Sequence, residues 1–381
     1  MDPIENYISE RLDYRKKQGL YRSLAVENNL IDFASNDYLG FAYSNKAMKW
    51  EEMAICNFNS TGSTGSRLIT GNTKYAEELE QFISEFHKAE AGLIFNSGYD
   101  ANLGLLSSLP QKGDTVIYDA YIHASIRDGI RLSNAFHFSF KHNDIKEFTS
   151  KIKRAKGRIF VAVESVYSMD GDFAPLIEMV NICEQYNAYL IVDEAHATGV
   201  FGENGSGKVV ELGLEKKIFA RIHTFGKALG CHGAIVVGSK NLRDYLINFS
   251  RPFIYTTALP LSSLINIKTA YAKLIDSEKD LLRIKKATEY FRRNIKLKHP
   301  FELIQSTSPI QCILIPGNEK AKSFAEEARK NGFDIRAILS PTVPKGKERI
   351  RICIHAFNTD EQLTALVNII HSIMNKKGQF I

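Results

Sequence analysis

Lys227 comes just after the run "IFARIHTFG" and is followed by Ala-Leu-Gly. A lysine at a strand end, among small and apolar residues, loses basicity through desolvation. A poorly basic amine is what imine chemistry with a carbonyl compound requires. Asp193 ends the apolar run "YLIV", 34 residues earlier. A carboxylate in such a place is costly unless it meets a cation. His196 follows three residues later, and His123 opens "HASIRDG". Ser97, Gly98 and Tyr99, in "NSGYDAN", suit the start of a helix whose free N–H groups bind phosphate. Ser168 and Thr224 add hydroxyls. Taken singly, each of these residues suits a capping or core role. Taken together at strand ends, they match what pyridoxal 5'-phosphate needs: a lysine for the aldehyde, a carboxylate for the pyridine nitrogen, a platform for the ring and a cradle for phosphate.

The same stretch invites another reading. Asp193–His196 spells D-E-A-H, the letters of a helicase box, and Gly202 to Lys208 fits G-x-x-x-x-G-K. An ATP-driven nucleic-acid motor would follow. A phosphate loop, however, needs Ser or Thr next to ligate Mg²⁺, and the next residue is Val209. The order is also reversed, since the phosphate loop should precede the acidic box. "GSTGSRLITG" lacks the G-x-G-x-x-G spacing of dinucleotide folds. A net charge of +6 over 381 residues is too thin to argue for nucleic acid.

The elements that must position these residues follow from periodicity. Short β-branched runs alternate with helical patterns from about residue 45 to 265. Strands are predicted at "AGLIFNS", "DTVIYDA", "FHFSF", "RIFVAVES", "YLIVDE", "RIHTFG" and "AIVVGS". Helices are predicted at Thr73–His87 and Pro175–Tyr186. Such alternation gives a mostly parallel sheet covered by helices on both faces. Ligands then bind beyond the carboxyl ends of the strands, where Ser97, Gly98, Asp119, Ser165, Asp193 and Thr224 fall, so that one ligand could touch them all. Residues 1–44 read as an amphipathic helix and a short strand, "LIDFAS". Residues 266–381 read as one long charged helix leading into a small α+β domain with strands "IQCILIPG" and "RIRICIHAF" and a last helix, Glu361–Asn375. The tract "RIKKATEYFRRNIKLKHP" reads as a solvated helix face, with docking of an acidic carrier or a CoA phosphate as the alternative.

Cys56, Cys183, Cys231, Cys312 and Cys353 show no metal-ligand spacing, which points to free thiols in a reducing compartment. No apolar h-region opens the chain and no run approaches about 20 apolar residues. The expectation is a soluble cytoplasmic protein that binds neither metal nor membrane.

Beyond these residues, the chain resembles the α-oxoamine synthases, fold-type I pyridoxal-phosphate enzymes. The resemblance rests on "SNDYLGF", "GSTGSRLITGN", "SGYDANLG", "HASIRDG", "ESVYSMDGD", "VDEAHATG", "HTFGKALG", "IYTTALP" and "ERIRI", in that order along nearly the whole chain. It implies an α/β transferase fold, with a mostly parallel central sheet in a large domain and a small α+β C-terminal domain. It implies that Lys227 carries the cofactor aldehyde, Asp193 pairs with the pyridinium, His196 meets the ring oxygen and His123 stacks on the ring. Ser97, Gly98, Tyr99, Ser168 and Thr224 would hold phosphate or ring. Thr256 and Thr257 would reach the phosphate of a second subunit, which implies a homodimer. Arg351 would bind the amino-acid carboxylate, with Arg22, Asn36 and Thr342 as further substrate contacts.

Within the family, "GSRLITGN", "TFGKALG" and "FIYTTALP" are most similar to the biotin-pathway members that join L-alanine to a pimeloyl thioester, losing CO₂ and the thiol. The acyl group would arrive on CoA or on a carrier protein. Sister members use glycine with acetyl-CoA, glycine with succinyl-CoA, or serine with a long acyl-CoA. Ala197 stands where the family commonly has glycine or serine, and "CHGA" (Cys231–Ala234) replaces a glycine-richer segment.

Overall fold

The computed structural model describes residues 2–24, 29–42 and 62–375. Cys56 and the expected domain boundary at 44/45 lie outside the described residues.

The strand β1 (Ile31–Asp32) precedes the seven strands of the main sheet. These are β2 (Ala91–Phe95), β3 (Thr115–Asp119), β4 (Phe136–Phe140), β5 (Ile159–Glu164), β6 (Ala188–Asp193), β7 (Ala220–Thr224) and β8 (Ala234–Gly238). Their order is β2-β8-β7-β6-β5-β3-β4. The run β7-β6-β5-β3-β4 is parallel throughout, and β8 is antiparallel to both of its neighbours. The sequence therefore predicted the sheet type correctly. Side-chain alternation between two buried faces explains why the central strands β5 and β6 read as nearly unbroken apolar runs. On β5, Phe160 and Ala162 feed one core while Val161 and Val163 feed the other. On β6, Ile191 faces the first, and Leu190 and Val192 the second. The edge strand β4 departs from this rule. Phe136 and Phe138 are 58% and 48% exposed, because an edge lacks one neighbour.

A second, four-stranded sheet contains β9 (Glu302–Leu303), β10 (Ile310–Leu314), β12 (Arg336–Ile338) and β13 (Arg349–Cys353), in the order β12-β13-β10-β9. Between them, β11 (Phe333–Asp334) pairs in parallel with β1. The N-terminal segment is thereby tied to the C-terminal part of the chain.

The expected single helix around 266–290 is two helices, Leu261–Ile275 and Glu278–Asn294. At the break the Ser277 hydroxyl bonds back to the Lys273 carbonyl, a local bond that competes with helix continuation. The break lets the first helix bury Leu264, Ile267, Tyr271 and Leu274 in one core, while the second sends Ala287 and Phe291 into another. Of the basic tract, Lys285, Lys286 and Arg293 lie exposed on the second helix as predicted, whereas Arg283 and Arg292 are half-buried and hydrogen-bonded and Lys296 and Lys298 lie past its end. The N-terminal helix Pro3–Lys17 forms with an Asp2 cap and Pro3 in the first turn. The expected amphipathic burial is absent. None of its residues is buried, and Ile4, Tyr7, Ile8, Leu12 and Tyr14 stay exposed.

Candidate active site

The carboxyl ends of β2, β5, β6 and β7 converge on a cavity of about 270 Å³. Its walls bring together Lys227, Asp193, His196, His123, Ser97, Gly98, Tyr99, Thr224 and Asn36, nine of the residues singled out in the sequence. A hollow of about 850 Å³ beside helix Glu278–Asn294 is larger. The chemistry, not the volume, distinguishes the smaller one.

Asp193 closes β6 and is 5% exposed. Its Oδ1 accepts from the Ala195 N–H at 2.9 Å and its Oδ2 from Asn102 Nδ2 at 2.8 Å. Asn102 Nδ2 also donates to Ser125 Oγ at 3.1 Å, and that hydroxyl lies 2.7 Å from His123 Nδ1. The Ser125 N–H bonds to the same ring nitrogen. His123 Nδ1 thus acts as an acceptor, which leaves the ring proton of the neutral imidazole on Nε2. Burial lowers the His123 pKa, against the pull of Asp193. His196 is held neutral by burial and by the charges of Lys227 and Arg351. Its Nδ1 lies 2.8 Å from the hydroxyl of the buried Tyr38.

Burial also depresses the Lys227 amine to about 8, although Asp193 and Glu164 favour its charged form. Ser97 caps helix Gly98–Ser108, accepting from the Asp100 N–H. Gly98 is required by the close approach of β7, since a Cβ there would lie 2.5 Å from Thr224 Cγ2.

The remaining site expectations are placed differently. Arg351, on β13, does not line the cavity. Its Nη2 donates to Asn36 Oδ1 at 2.9 Å and its Nε to the Ser168 carbonyl at 2.7 Å, so it reaches the cavity through Asn36. Ser168 is buried outside the lining. Thr256 Oγ1 and the Thr257 carbonyl accept from Asn96 Nδ2, beside Ser97, and Thr257 is exposed. Arg22 and Thr342 are exposed and away from the cavity lining.

Sequence reasoning missed Asn102, Glu164, Ser125, Tyr38 and His232. Asn102, Glu164 and His232 line the cavity, while Ser125 and Tyr38 support its histidines. Glu164 had a visible signal, because it ends the run "RIFVAVE" as Asp193 ends "YLIVD". Asn102 and Ser125 had none. Each is a polar residue inside a helix, and only the packing of helix Gly98–Ser108 on helix Ala124–Leu132 brings Asn102 to Asp193 and Ser125 to His123.

The residues fit pyridoxal phosphate on grounds internal to the structure. Thr224 Oγ1 is buried without a partner among the described residues, beside the capped N-terminus of helix Gly98–Ser108. A buried hydroxyl in that position lacks the acceptor that a phosphate oxygen would supply. The Asp193 carboxylate, held by two donors, still has lone pairs for a ring N–H.

The aminotransferase class I and II family matches residues 28–370. An 8-amino-7-oxononanoate synthase from Emericella nidulans is 43% identical over 395 residues, covering 96% of this chain and 95% of its own. The chain belongs to the α-oxoamine synthases. A further relative of that name, from Cellvibrio japonicus, is 38% identical, with coverage of 96% and 94%. Two solved structures extend the likeness. A serine palmitoyltransferase from S. paucimobilis, solved with bound PLP–myriocin, superimposes with a TM-score of 0.88 at 27% identity, over 98% of each chain. The 8-amino-7-oxononanoate synthase of Francisella tularensis gives 0.78 at 28%, over 91% of this chain and 98% of its own. In this α-oxoamine synthase the N–H groups of the glycine-rich loop after His196 are engaged from within the protein. The Glu194 carboxylate fills the loop, accepting from the N–H groups of Lys208 and Val209. Among the described residues, no helix is long and apolar enough to cross a membrane.

Proposed function

We propose that this α-oxoamine synthase uses pyridoxal 5'-phosphate to condense L-alanine with a pimeloyl thioester. The products are 8-amino-7-oxononanoate, CO₂ and the free thiol. The observation that carries the reading is the convergence of a weakly basic Lys227 amine and the doubly held Asp193 carboxylate on one cavity, in a chain 43% identical to an 8-amino-7-oxononanoate synthase.

Lys227, Asp193, His123, His196, Thr224 and the Ser97–Tyr99 turn would hold the cofactor. When bound, it supplies the electron sink for the carbanions left by loss of a proton and of CO₂. Lys227 Nζ takes the α-proton of alanine, and its low basicity keeps it ready to do so near neutral pH. Asp193 keeps the proton on the pyridine nitrogen. The Nε2 proton of His123 stabilises the negative oxygen that develops on the thioester carbonyl. Asn36, oriented by Arg351, binds the amino-acid carboxylate together with that guanidinium. Arg22 and Thr342 belong to the same proposal as contacts made by the acyl substrate.

The enzyme works as a homodimer in the cytoplasm. Thr256 and Thr257 face the neighbouring subunit's cofactor phosphate. The apolar side chains of helix Pro3–Lys17, exposed on the single chain, support a partner surface. The acyl group comes from CoA or a carrier protein.

A matrix of amino acids against acyl thioesters, read by thiol release and product mass, tests the assignment. Alanine with a pimeloyl thioester is expected to give the highest kcat/KM. A higher value for glycine with acetyl-CoA, or for serine with a long acyl-CoA, would reassign the enzyme within its family.

A further inference from the structure

Glu164 is absent from the assignments above, yet its placement is as specific as that of Asp193. It ends β5 in direct register with Asp193 on β6. It is 3% exposed and lines the cavity that holds Lys227. Its Oε1 is fully buried with no hydrogen-bond partner among the described residues. An ionised carboxylate in that state is costly. The neighbouring Asp193, already engaged as an acceptor on both oxygens, makes a second negative charge costlier still.

We propose that Glu164 is a positioning residue for Lys227: beside Asp193 it holds a proton of its own, and by exchanging it with the amine it fixes when Lys227 is uncharged. The exchange is balanced, with carboxylate plus ammonium giving carboxylic acid plus amine. The inference rests on the pyridoxal-phosphate reading of the cavity.

The groups that face the pair come from every element around it. Asp193 (β6), Tyr167 (after β5) and the backbone of His123 and Ser168 act on Glu164. Asp193, Arg351 and Cys353 act on Lys227, and His196 lies beside it. Burial and then Asp193 push the Glu164 acid up to about 8, with Lys227 opposing. The amine stands at about 8 as well. What sets the two groups against each other is geometry: both line one cavity, with the unpartnered Glu164 Oε1 in register beside Asp193. Ionised, Glu164 stabilises the ammonium form of Lys227. Protonated, it releases the amine for chemistry.

The test uses cofactor-free full-length protein mixed with pyridoxal phosphate across a pH series. Growth of the bound cofactor's visible absorbance reports how much Lys227 is neutral, because only the free amine attacks the aldehyde. Removing a titrating carboxylate beside the amine weakens its hold on the proton. In Glu164→Gln the midpoint of capture should therefore fall by about one pH unit. Glu164→Asp, which keeps the carboxyl but retracts it, should move the midpoint the same way by a smaller step. If the Gln variant does not fold, the Asp variant carries the test alone. An unmoved midpoint, even with a changed KM or melting temperature, would make Glu164 structural and overturn the inference. Failure of the wild-type protein to capture pyridoxal phosphate at any pH would overturn the cofactor reading, and this inference with it.

Discussion

Two glycine-bearing turns open helices in this molecule, and the fold treats their backbone N–H groups differently. The Ser97–Tyr99 turn faces the cavity, where Thr224 Oγ1 has no partner among the described residues. The Gly202–Val209 loop looks more like a nucleotide cradle by its letters, but it closes on the protein's own anion. Glu194 sends its carboxylate into the loop, and burial raises its pKa to about 7 against the Ser165 hydroxyl and Arg221. Asp193 and Glu194 are neighbours in sequence and diverge at a strand end, where successive side chains take opposite sides. One acid serves the open site. The other fills a structural loop. An N-terminal nest is therefore a binding site only if the fold leaves it without an internal anion.

Substitutions on the two sides should separate cleanly. The largest effect belongs to the open site. Lys227→Ala is expected to cost about a thousandfold or more in thiol-release kcat, while melting stays near that of the wild type. Asp193→Asn should retain cofactor but lose about 10²–10³ in kcat. Near-normal turnover in that variant would remove Asp193 from its role.

The filled loop should respond in stability instead. A Cβ at Gly207 would lie 2.0 Å from Glu194 Oε2, at a φ of +107°. Gly207→Ala is expected to cost about 3 kcal/mol in denaturant unfolding. It should spare the cofactor affinity of whatever remains folded. Equal loss of affinity and stability would blur the distinction between the two turns.

A third cluster offers a control on pH. His142 bridges Asp119 at 2.9 Å and Asp172 at 2.7 Å. Burial opposes its charge, but the two carboxylates outweigh burial and raise its pKa from 6.5 to about 9. A raised histidine pKa stabilises the fold fully below the unfolded value and is lost as pH climbs through the folded one. Tm should therefore fall between about pH 6.5 and 9, reflecting about 2–3 kcal/mol. His142→Gln should flatten that window, and an unchanged slope in the variant would assign the loss to other groups.

The smallest effect is at the open turn's cap. Ser97→Ala removes the acceptor for the Asp100 N–H and should cost about 1 kcal/mol of stability. It should also weaken cofactor binding modestly in a spectrophotometric titration.

Strand-end residues were the legible part of this protein. Asp193 ends an apolar run that both sheet faces require, and Thr224 and Lys227 sit at or just past the end of the next strand, so their location could be read without coordinates. The glycine of the Ser97–Tyr99 turn was equally visible, although its reason, the approach of Thr224, was not. The helix break at Asp276–Ser277 escaped notice because nothing in the local pattern forbids a helix there. Two separate cores impose it. The exposure of Phe136 and Phe138 was hidden for a related cause, since a run of letters does not say which strand lies at the edge.

Hydrophobic periodicity is local, so the sequence by itself determined the mostly parallel sheet, the ends of its strands and the amine and acid placed there. Side chains that meet across long separations are settled only when the sheet assembles. Tertiary structure alone decided that Asn102 and Ser125 link Asp193 to His123, that Glu164 stands beside Asp193, and that Glu194 fills the loop a nucleotide would need. In each case strand order and helix packing choose the neighbour, and no spacing along the chain encodes it.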